Sequence, residues 1–270
     1  ALKTINDIIR QINTDCVQGS SDTLTSQNRA SIAQDLREMK EQIYQEGNTN
    51  YAGRYVFSGY KTDSPLIFME DSANLQYDIT EKLTSKSIET VPRVSGSYNL
   101  ADFNDSTITF DETPKIENTY RIKLSYDKLE KVDISGINYS IPVAGGTSED
   151  RTIPAENITT ISEHDPNAYR PGPDSVNFIY ETGEIIIGEN LYEELRLADK
   201  IELSYQKSRF EKGELRPEHY FDCVMTDTSK PELGSISYVK EKQEIQYEIN
   251  YNQKLTINTE GSDAISHKIG

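Results

Sequence analysis

The residue types that most often carry catalysis or bind metals are few in this sequence and stand far apart. The histidines His164, His219 and His267 have no second histidine or cysteine at metal-ligand spacing, which predicts solvated or structural side chains. Neither Cys16 nor Cys223 has a recognisable base near it in the sequence, so we expect two small core residues rather than reactive thiols. The sequence thus offers no catalytic, cofactor-binding or metal-binding residues, which favours a protein that is not an enzyme.

Longer catalytic and ligand-binding motifs are missing as well. Gly145-Gly146-Thr147 lacks the spacing of a phosphate-binding loop and is more simply a turn. The 45 acidic residues single out no pair as glycosidase carboxylates. Function therefore has to be sought in the elements of the chain and in the surfaces that they form.

Length and charge limit the possible partners. The chain has 270 residues, with 28 Lys+Arg against 45 Asp+Glu and a formal net charge of -17. Nucleic acids and anionic membrane surfaces attract basic proteins, so we predict neither as a partner. No apolar run approaches the roughly 20 residues of a spanning helix. The length suits one large domain or two ordinary ones.

The first 50 residues have the periodicity of two helices joined by a short polar loop. Their apolar residues recur at spacings of three and four, as on a heptad seam. The seam residues are Leu2, Ile5, Ile9, Ile12 and Cys16 in the first helix and Ile32, Leu36, Met39 and Ile43 in the second. We expect the helices to pack as a hairpin. Their seams form either an ordinary core or a surface for a further partner.

From residue 51 onwards the pattern changes to the alternation of β-strands. Tyr55 and Phe57 share a face between two glycines, and alternation is clean in residues 120–126, 137–143 and 201–205. Thr182-Gly183 marks a hairpin turn, and residues 191–197 predict a short helix. Residues 80–105 are polar, which predicts a domain boundary there. The pattern indicates an α+β fold with a mostly antiparallel sheet or small sandwich in its middle part.

A block after the second helix carries a likeness to a known family. Gly53-Arg54-Tyr55-Val56-Phe57-Ser58-Gly59-Tyr60, preceded by the helical residues 32–43, resembles the flagellin superfamily, and within it the hook-associated protein 3 family of hook–filament junction proteins. Residues 213–221 and 249–259 are similar to the same family. The motif residues are Gly53, Arg54, Tyr55, Phe57 and Gly59.

The resemblance implies two domains. Residues 1–90 and 232–270 would form a discontinuous, flagellin-like helical domain with a β-hairpin, called D1, and residues 91–231 an outer β-sandwich-like domain, D2. The outermost helices of the family, called D0, would be missing from this chain. That expectation agrees with a first helix that begins at residue 2 with no capping residue before it.

The resemblance also implies a function. The protein would be a structural component of the bacterial flagellum, an extracellular adaptor between hook-associated protein 1 on the hook side and the flagellin filament. Its partners would be flagellin, hook-associated protein 1, further copies of itself in a ring, and an export chaperone. It would act by protein–protein packing, need no cofactor and be exported without a cleaved signal peptide.

A secreted adhesin, or a carbohydrate-binding β-domain on a helical stalk, is the alternative function. The chain has 17 tyrosines that could stack on sugar rings but no tryptophan, the residue that sugar platforms favour. The adhesin differs from the flagellar protein in sequence only through the block at residues 53–60.

Overall fold

The computed structural model describes residues 1–94, 115–143, 145–241, 245–251, 253–256, 258 and 260–264. His267 and much of the predicted boundary at residues 80–105 lie outside these residues. The helices are α1 (Leu2–Gly19), α2 (Ser26–Gly47), α3 (Glu189–Leu195) and α4 (Gly261–Ala264). The strands are β1 (Asn50–Tyr51), β2 (Arg54–Tyr55), β3 (Ser72–Leu83), β4 (Ile88–Val94), β5 (Ile116–Lys123), β6 (Gly136–Val143), β7 (Thr147–Pro154), β8 (Ile158–Ile161), β9 (Val176–Ile179), β10 (Glu184–Ile187), β11 (Lys200–Phe210), β12 (Asp222–Asp227), β13 (Ser235–Tyr238), β14 (Gln246–Asn250) and β15 (Gln253–Thr256).

The chain divides into two compact units. The first comprises Ala1–Leu75, Arg209–Asp222 and Ser237–Gly270, and the second comprises Gln76–Ser208 and Cys223–Ile236. These limits differ from the predicted ones, because the second unit already begins within β3 and residues 209–222 return to the first. The mixture of helices and mostly antiparallel strands confirms the predicted α+β class. The flagellin-like character of the units stays a prediction.

Two sheets carry the second unit. One has five strands in the order β4-β5-β10-β9-β8, in which the β8–β9 pair is parallel and the other three pairs are antiparallel. The other has six strands in the order β13-β12-β3-β11-β6-β7. Most of the side chains that alternation assigns to one face are buried, namely Ile122, Leu124, Tyr126, Ile137, Tyr139, Ile201, Leu203 and Tyr205. Tyr120 and Ile141 are half-buried, and Val143, the last residue of β6, is 40% exposed.

Both faces of the central strands β9 and β10 are buried. This explains the continuous apolar run in β10, because a strand covered on both sides has no solvent face to mark with polar residues. On one side Ile179 and Ile186 pack with Ala168 from the segment between β8 and β9. The predicted hairpin at Thr182-Gly183 joins these strands and is confirmed.

Polar residues concealed the end of β3 and all of β4 and β7 from the sequence pattern. β3 continues into the predicted polar boundary as far as Leu83, and its inward Glu81 is 1% exposed and accepts hydrogen bonds from Ser125 and Tyr205. β4 is an edge strand that contains Pro92. β7 is also an edge strand and is exposed along most of its length, so alternation gives no signal there.

Candidate assembly surface

The two helices of the first unit begin and end where local chemistry requires. The Thr25 hydroxyl accepts a hydrogen bond from the Asn28 amide at 3.2 Å and so caps α2. A Cβ atom on Gly47, the last residue of α2, would lie 2.5 Å from the Ile67 side chain. Only glycine therefore fits where this helix ends against residues 65–68.

Helix α1 carries a wide apolar stripe of which one side alone is covered. Ile5 and Ile8 are each 8% exposed, whereas Leu2 and Ile9 are 49% and 50% exposed. Cys16, one heptad beyond Ile9, is exposed too. We call Leu2, Ile9 and Cys16 the open column of α1. The expectation that Cys16 is a core residue is wrong.

The predicted seam on α1 is thus two columns with different environments. Ile5 and the half-buried Ile12 lie in the covered column, and Ile8 belongs with them. The sequence analysis missed Ile8, although it stands three residues after Ile5 and four before Ile12, which is helical spacing. Cys223, predicted to be buried, is buried.

The apolar stripe of helix α2 is only partly buried. All four predicted seam residues of α2 are half-buried: Ile32, Leu36, Met39 and Ile43. Two helices alone cannot enclose apolar stripes of this width, and bundles need further helices to do so. Among the described residues, the helical hairpin therefore presents apolar side chains to solvent along one edge.

The family motif begins as a tight hairpin. Asn50 pairs with Tyr55 and Tyr51 with Arg54, so Ala52 and Gly53 form a two-residue turn. Both turn residues have positive φ, 51° and 81°, as a type I′ turn requires. The Gly53 amide donates to the Asn50 side-chain oxygen at 2.9 Å. The Tyr51 side chain at this tip is 80% exposed.

The second half of the motif is buried. Phe57 is 2% exposed, and Ser58 forms an isolated β-bridge with Glu260. Gly59 has φ of 64°, and a Cβ atom there would lie 3.1 Å from the Glu260 side chain. Glycine at this position meets both a backbone requirement and a close approach.

Residues 66–68 pair with residues 213–216, the second segment that carries the family likeness. The Gly213 amide donates to the Phe68 carbonyl at 2.8 Å, and the Arg216 amide donates to the Leu66 carbonyl at 2.9 Å. The Asn48 side chain donates to the Ile67 carbonyl and accepts from the Ile67 amide. These bonds attach the end of α2 to both segments.

A buried carboxylate lies where these segments meet. Glu218 is 1% exposed, and its Oε1 accepts hydrogen bonds from Arg216 Nε at 2.7 Å and Ser64 Oγ at 3.1 Å. Burial alone raises the pKa of Glu218, but the adjacent Arg216 guanidinium outweighs it and lowers the pKa below its ordinary value. Lys61 Nζ donates to the Glu218 carbonyl. We call Glu218, Arg216, Ser64 and Lys61 the Glu218 cluster.

His219 is buried next to this cluster. Burial lowers the pKa of His219 to about 4, because the charged imidazolium loses its hydration there. Its Nε2 lies 3.0 Å from the Pro65 carbonyl oxygen, which can only accept, so Nε2 carries the proton. His164, by contrast, has an 87% exposed side chain. The prediction of solvated or structural histidines holds for both.

The last described helix is attached to the motif by charge. Lys240 Nζ lies 2.6 Å from Glu260 Oε2, and the Lys240 amide donates to Asp222 Oδ1. Glu260 is 7% exposed, and Lys240 also donates to Ser262 Oγ. The three segments that carry the family likeness, or their direct neighbours, thus form one set of contacts within the first unit.

Across the described ranges, no group of three or more His, Cys, Asp or Glu side chains could hold a metal ion. In that same part of the chain, no helix is long and apolar enough to cross a bilayer. In the Glu218 cluster, Ser64 and Lys61 bond to Glu218 from another segment of the chain, and Arg216 pairs with it from within its own segment.

The chain is similar to proteins of known identity. No family model matches it. Flagellar hook-associated protein 3 of Escherichia coli (strain K12) is 34% identical to it over 135 residues. The resemblance to hook-associated protein 3 is confirmed. The match covers 42% of this chain and 43% of that protein, so the chain spans less than half the length of this curated relative.

A solved structure of hook-associated protein 3 has also been compared with the chain. The crystal structure of flagellar hook associated protein-3 from Legionella pneumophila aligns with 77% of this chain and 64% of its own. Its sequence identity is 11% and its TM-score 0.22. A similarity this low says nothing about the arrangement of the two units.

Proposed function

We propose that the chain is a structural component of the bacterial flagellum, an extracellular adaptor at the junction between hook-associated protein 1 and the flagellin filament. The observation that carries the proposal is the 34% identity to flagellar hook-associated protein 3 over 135 residues. The partners are flagellin, hook-associated protein 1, further copies of the chain in a ring, and an export chaperone. In this proposal the first unit corresponds to D1 and the second to D2.

The helical hairpin supports a role in packing against other chains. Leu2 and Ile9 leave half of their side-chain surface in water, next to the covered Ile5 and Ile8. Burying a side chain of this size contributes about 1.5–3 kcal/mol when it is complete, so an added helix along the open column gains about half of that at each residue. A third helical segment, from this protein or a neighbour in the flagellum, fits this edge.

The Glu218 cluster supports the same role in a different way. An adaptor held between two polymers must transmit force, and a rigid first unit suits that task. Hydrogen bonds from Lys61, Ser64 and Arg216 converge on one residue of the segment at 217–219. The helical hairpin is connected to the same frame through Asn48.

The test uses the complete gene in the bacterium from which the sequence comes. Leu2→Glu with Ile9→Glu places two charges on the open column, and Thr14→Glu places one on the exposed opposite face of α1 as the control. We expect the double variant to be exported while flagellin is shed into the medium and filaments are lost, whereas the control stays motile. Normal filaments in a gene deletion would overturn the flagellar role. Normal filaments in the double variant alone would overturn packing through this column.

A further inference from the structure

Strand β5 is paired on both sides along only half of its length. β10 pairs with residues 120–123, from Ile187↔Tyr120 to Glu184↔Lys123. β4 pairs with residues 116–122 on the other side. Residues 116–119 therefore have β4 on one side and, among the described residues, no strand on the other. We call this open stretch the β5 gap.

The backbone direction in the β5 gap follows from the residues beyond it. The Leu124 amide donates to the Gly183 carbonyl at 2.8 Å, which places Leu124 on the β10 side of the ladder. Backbone groups of alternate residues in a strand point to the same side, so Asn118 and Ile116 direct their N–H and C=O groups into the gap. Pro92, which has no N–H group, stands opposite Asn118, which agrees with this assignment.

The β5 gap is one wall of a groove of about 610 Å³ in the second unit. Tyr169, Arg170, Pro171 and residues 186–189 also line this groove. A Cβ atom on Gly188 would lie 2.1 Å from the Gly172 carbonyl oxygen. The groove continues the line of β10, which leaves β5 after Ile187.

The groove carries charges of both signs. Glu117 and Glu189 contribute two carboxylates, and Arg170 contributes one guanidinium. Arg93, opposite Glu117 in the ladder, places a second guanidinium 3.2 Å from the Tyr169 ring centroid. Arg170 Nε lies 4.0 Å from Glu117 Oε2, and an exposed ion pair at this distance can exchange partners. A basic segment is favoured over an acidic one because the chain as a whole carries a formal net charge of -17.

We propose that the β5 gap accepts an extended segment of a partner protein, which adds as a strand in line with β10. The backbone N–H and C=O groups of Asn118 would each form a hydrogen bond with the residue of the added strand that lies opposite, as in an antiparallel pair. A lysine or arginine next to that residue would face Glu117 across the ladder. This binding site goes beyond the flagellar role and does not depend on it.

The first arm of the test uses a short capped peptide of alternating threonine and lysine with the whole chain. We expect saturable binding by fluorescence anisotropy and slowed hydrogen exchange at the amides of Ile116 and Asn118. The matched control is the same peptide with alternate amides N-methylated, which keeps the charge and removes the donors that strand pairing needs. Its binding should be at least about tenfold weaker, the factor that follows from losing one or two net hydrogen bonds.

The second arm compares two substitutions of one residue. Asn118→Pro removes the amide that faces the gap, a change that an edge position tolerates because β4 does not use that group. Asn118→Ala keeps the amide and removes the side chain. We expect Asn118→Pro to lose binding and Asn118→Ala to retain it, with unchanged circular dichroism in both. If Asn118→Pro fails to fold, the comparison of the unmodified with the N-methylated peptide still tests the proposal.

Three results would overturn the proposal. Equal binding of both peptides would show attraction to the acidic surface rather than strand pairing. Absence of saturable binding by the unmodified peptide would show that the gap accepts no strand. A dimer of the chain that Asn118→Pro dissociates would assign the gap to a second copy instead of a partner protein.

Discussion

Arg216 Nε lies 2.7 Å from Oε1 of Glu218, and the Glu218 side chain is only 2% exposed. The residue between them, Pro217, begins a one-turn 3₁₀ helix and is buried itself. The ring of Pro217 fixes its own φ angle, which restricts how Arg216 and Glu218 can be oriented relative to each other. A carboxylate so fully removed from water needs a partner in place, and Arg216 provides it within the same segment.

Removing Arg216 should therefore destabilise the first unit. For Arg216→Met we expect a loss of about 3 kcal/mol in the free energy of unfolding, because the substitution removes the guanidinium that pairs with the buried Glu218 carboxylate. Urea denaturation measures this loss. Lys200→Met, which breaks an exposed pair with Glu202 at 3.0 Å, should change stability by less than about 1 kcal/mol. A smaller effect for Arg216→Met than for Lys200→Met would contradict the role of Glu218 as a buried ion.

Adding Glu218→Gln to Arg216→Met should recover part of the loss. The neutral amide needs no counter-ion, so in the double variant no buried carboxylate has lost its guanidinium partner. We expect the double variant to be more stable than Arg216→Met alone at neutral pH. If the two losses simply add, the ion pair is not the interaction that holds this segment.

Acid should destabilise the protein through His219 at mildly acidic pH. Its pKa is lowered to about 4 in the folded chain, against about 6.5 in the unfolded chain, so between these values the unfolded chain binds more protons. Stability should thus fall as the pH falls from about 6.5 to 4, with a slope approaching 1.4 kcal/mol per pH unit at most. Glu218, whose pKa is also lowered, adds a loss at lower pH.

Two histidine variants separate this effect from general acid sensitivity. His219→Gln keeps an N–H donor for the Pro65 carbonyl but does not titrate, so it should flatten the slope of stability between pH 6.5 and 4. His164→Gln, the same substitution at an 87% exposed side chain, is the matched control. Urea unfolding at several pH values distinguishes them. An unaltered slope in His219→Gln would show that another group titrates in this range.

Sequence patterns gave most of the second unit because its inner strands alternate cleanly. Residues such as Ile201 and Leu203 are apolar at every second position and are buried as predicted. The sequence pattern did not show that β3 continues through Glu81, because a carboxylate there occupies a core position. Ser125 and Tyr205, which are distant in sequence, donate hydrogen bonds to this carboxylate. Partners so far away leave no local signal.

The sequence predicted the two helices of the candidate assembly surface but not which of their side chains are buried. Heptad spacing located both helices, but it selected Ile9, which is 50% exposed, and passed over Ile8, which is buried. Which column is covered depends on the rotation of α1 against α2, which a tertiary contact sets. His219, predicted to be solvated or structural because no metal ligands stand near it, is buried beside the Glu218 cluster. The sequence marked Arg216 and Glu218 only through the family likeness of residues 213–221, without a role for either side chain.

Ile8 and Ile9 provide a matched test of the helical surface. Ile8→Ala removes buried methyl groups and should destabilise the helical hairpin by about 2 kcal/mol. Ile9→Ala removes half-exposed ones, and the better helix propensity of alanine offsets part of the loss, so we expect a change of less than about 0.5 kcal/mol. Hydrogen exchange of the amides in α1 reports on this hairpin directly. Equal effects would mean that the open column is covered in solution.

Gly59 and Gly53 test whether the motif glycines are required by conformation alone or also by contact. Both have positive φ, 64° and 81°, so alanine strains the backbone by about 1 kcal/mol at either position. At Gly53 the new methyl group meets nothing within 4 Å, whereas at Gly59 it lies 3.1 Å from the Glu260 side chain. Glu260 cannot easily move aside, because Lys240 holds its carboxylate at 2.6 Å. We therefore expect Gly59→Ala to cost about 1 kcal/mol more than Gly53→Ala in urea unfolding. Equal losses would show that Glu260 adjusts freely and that only φ selects glycine in the motif.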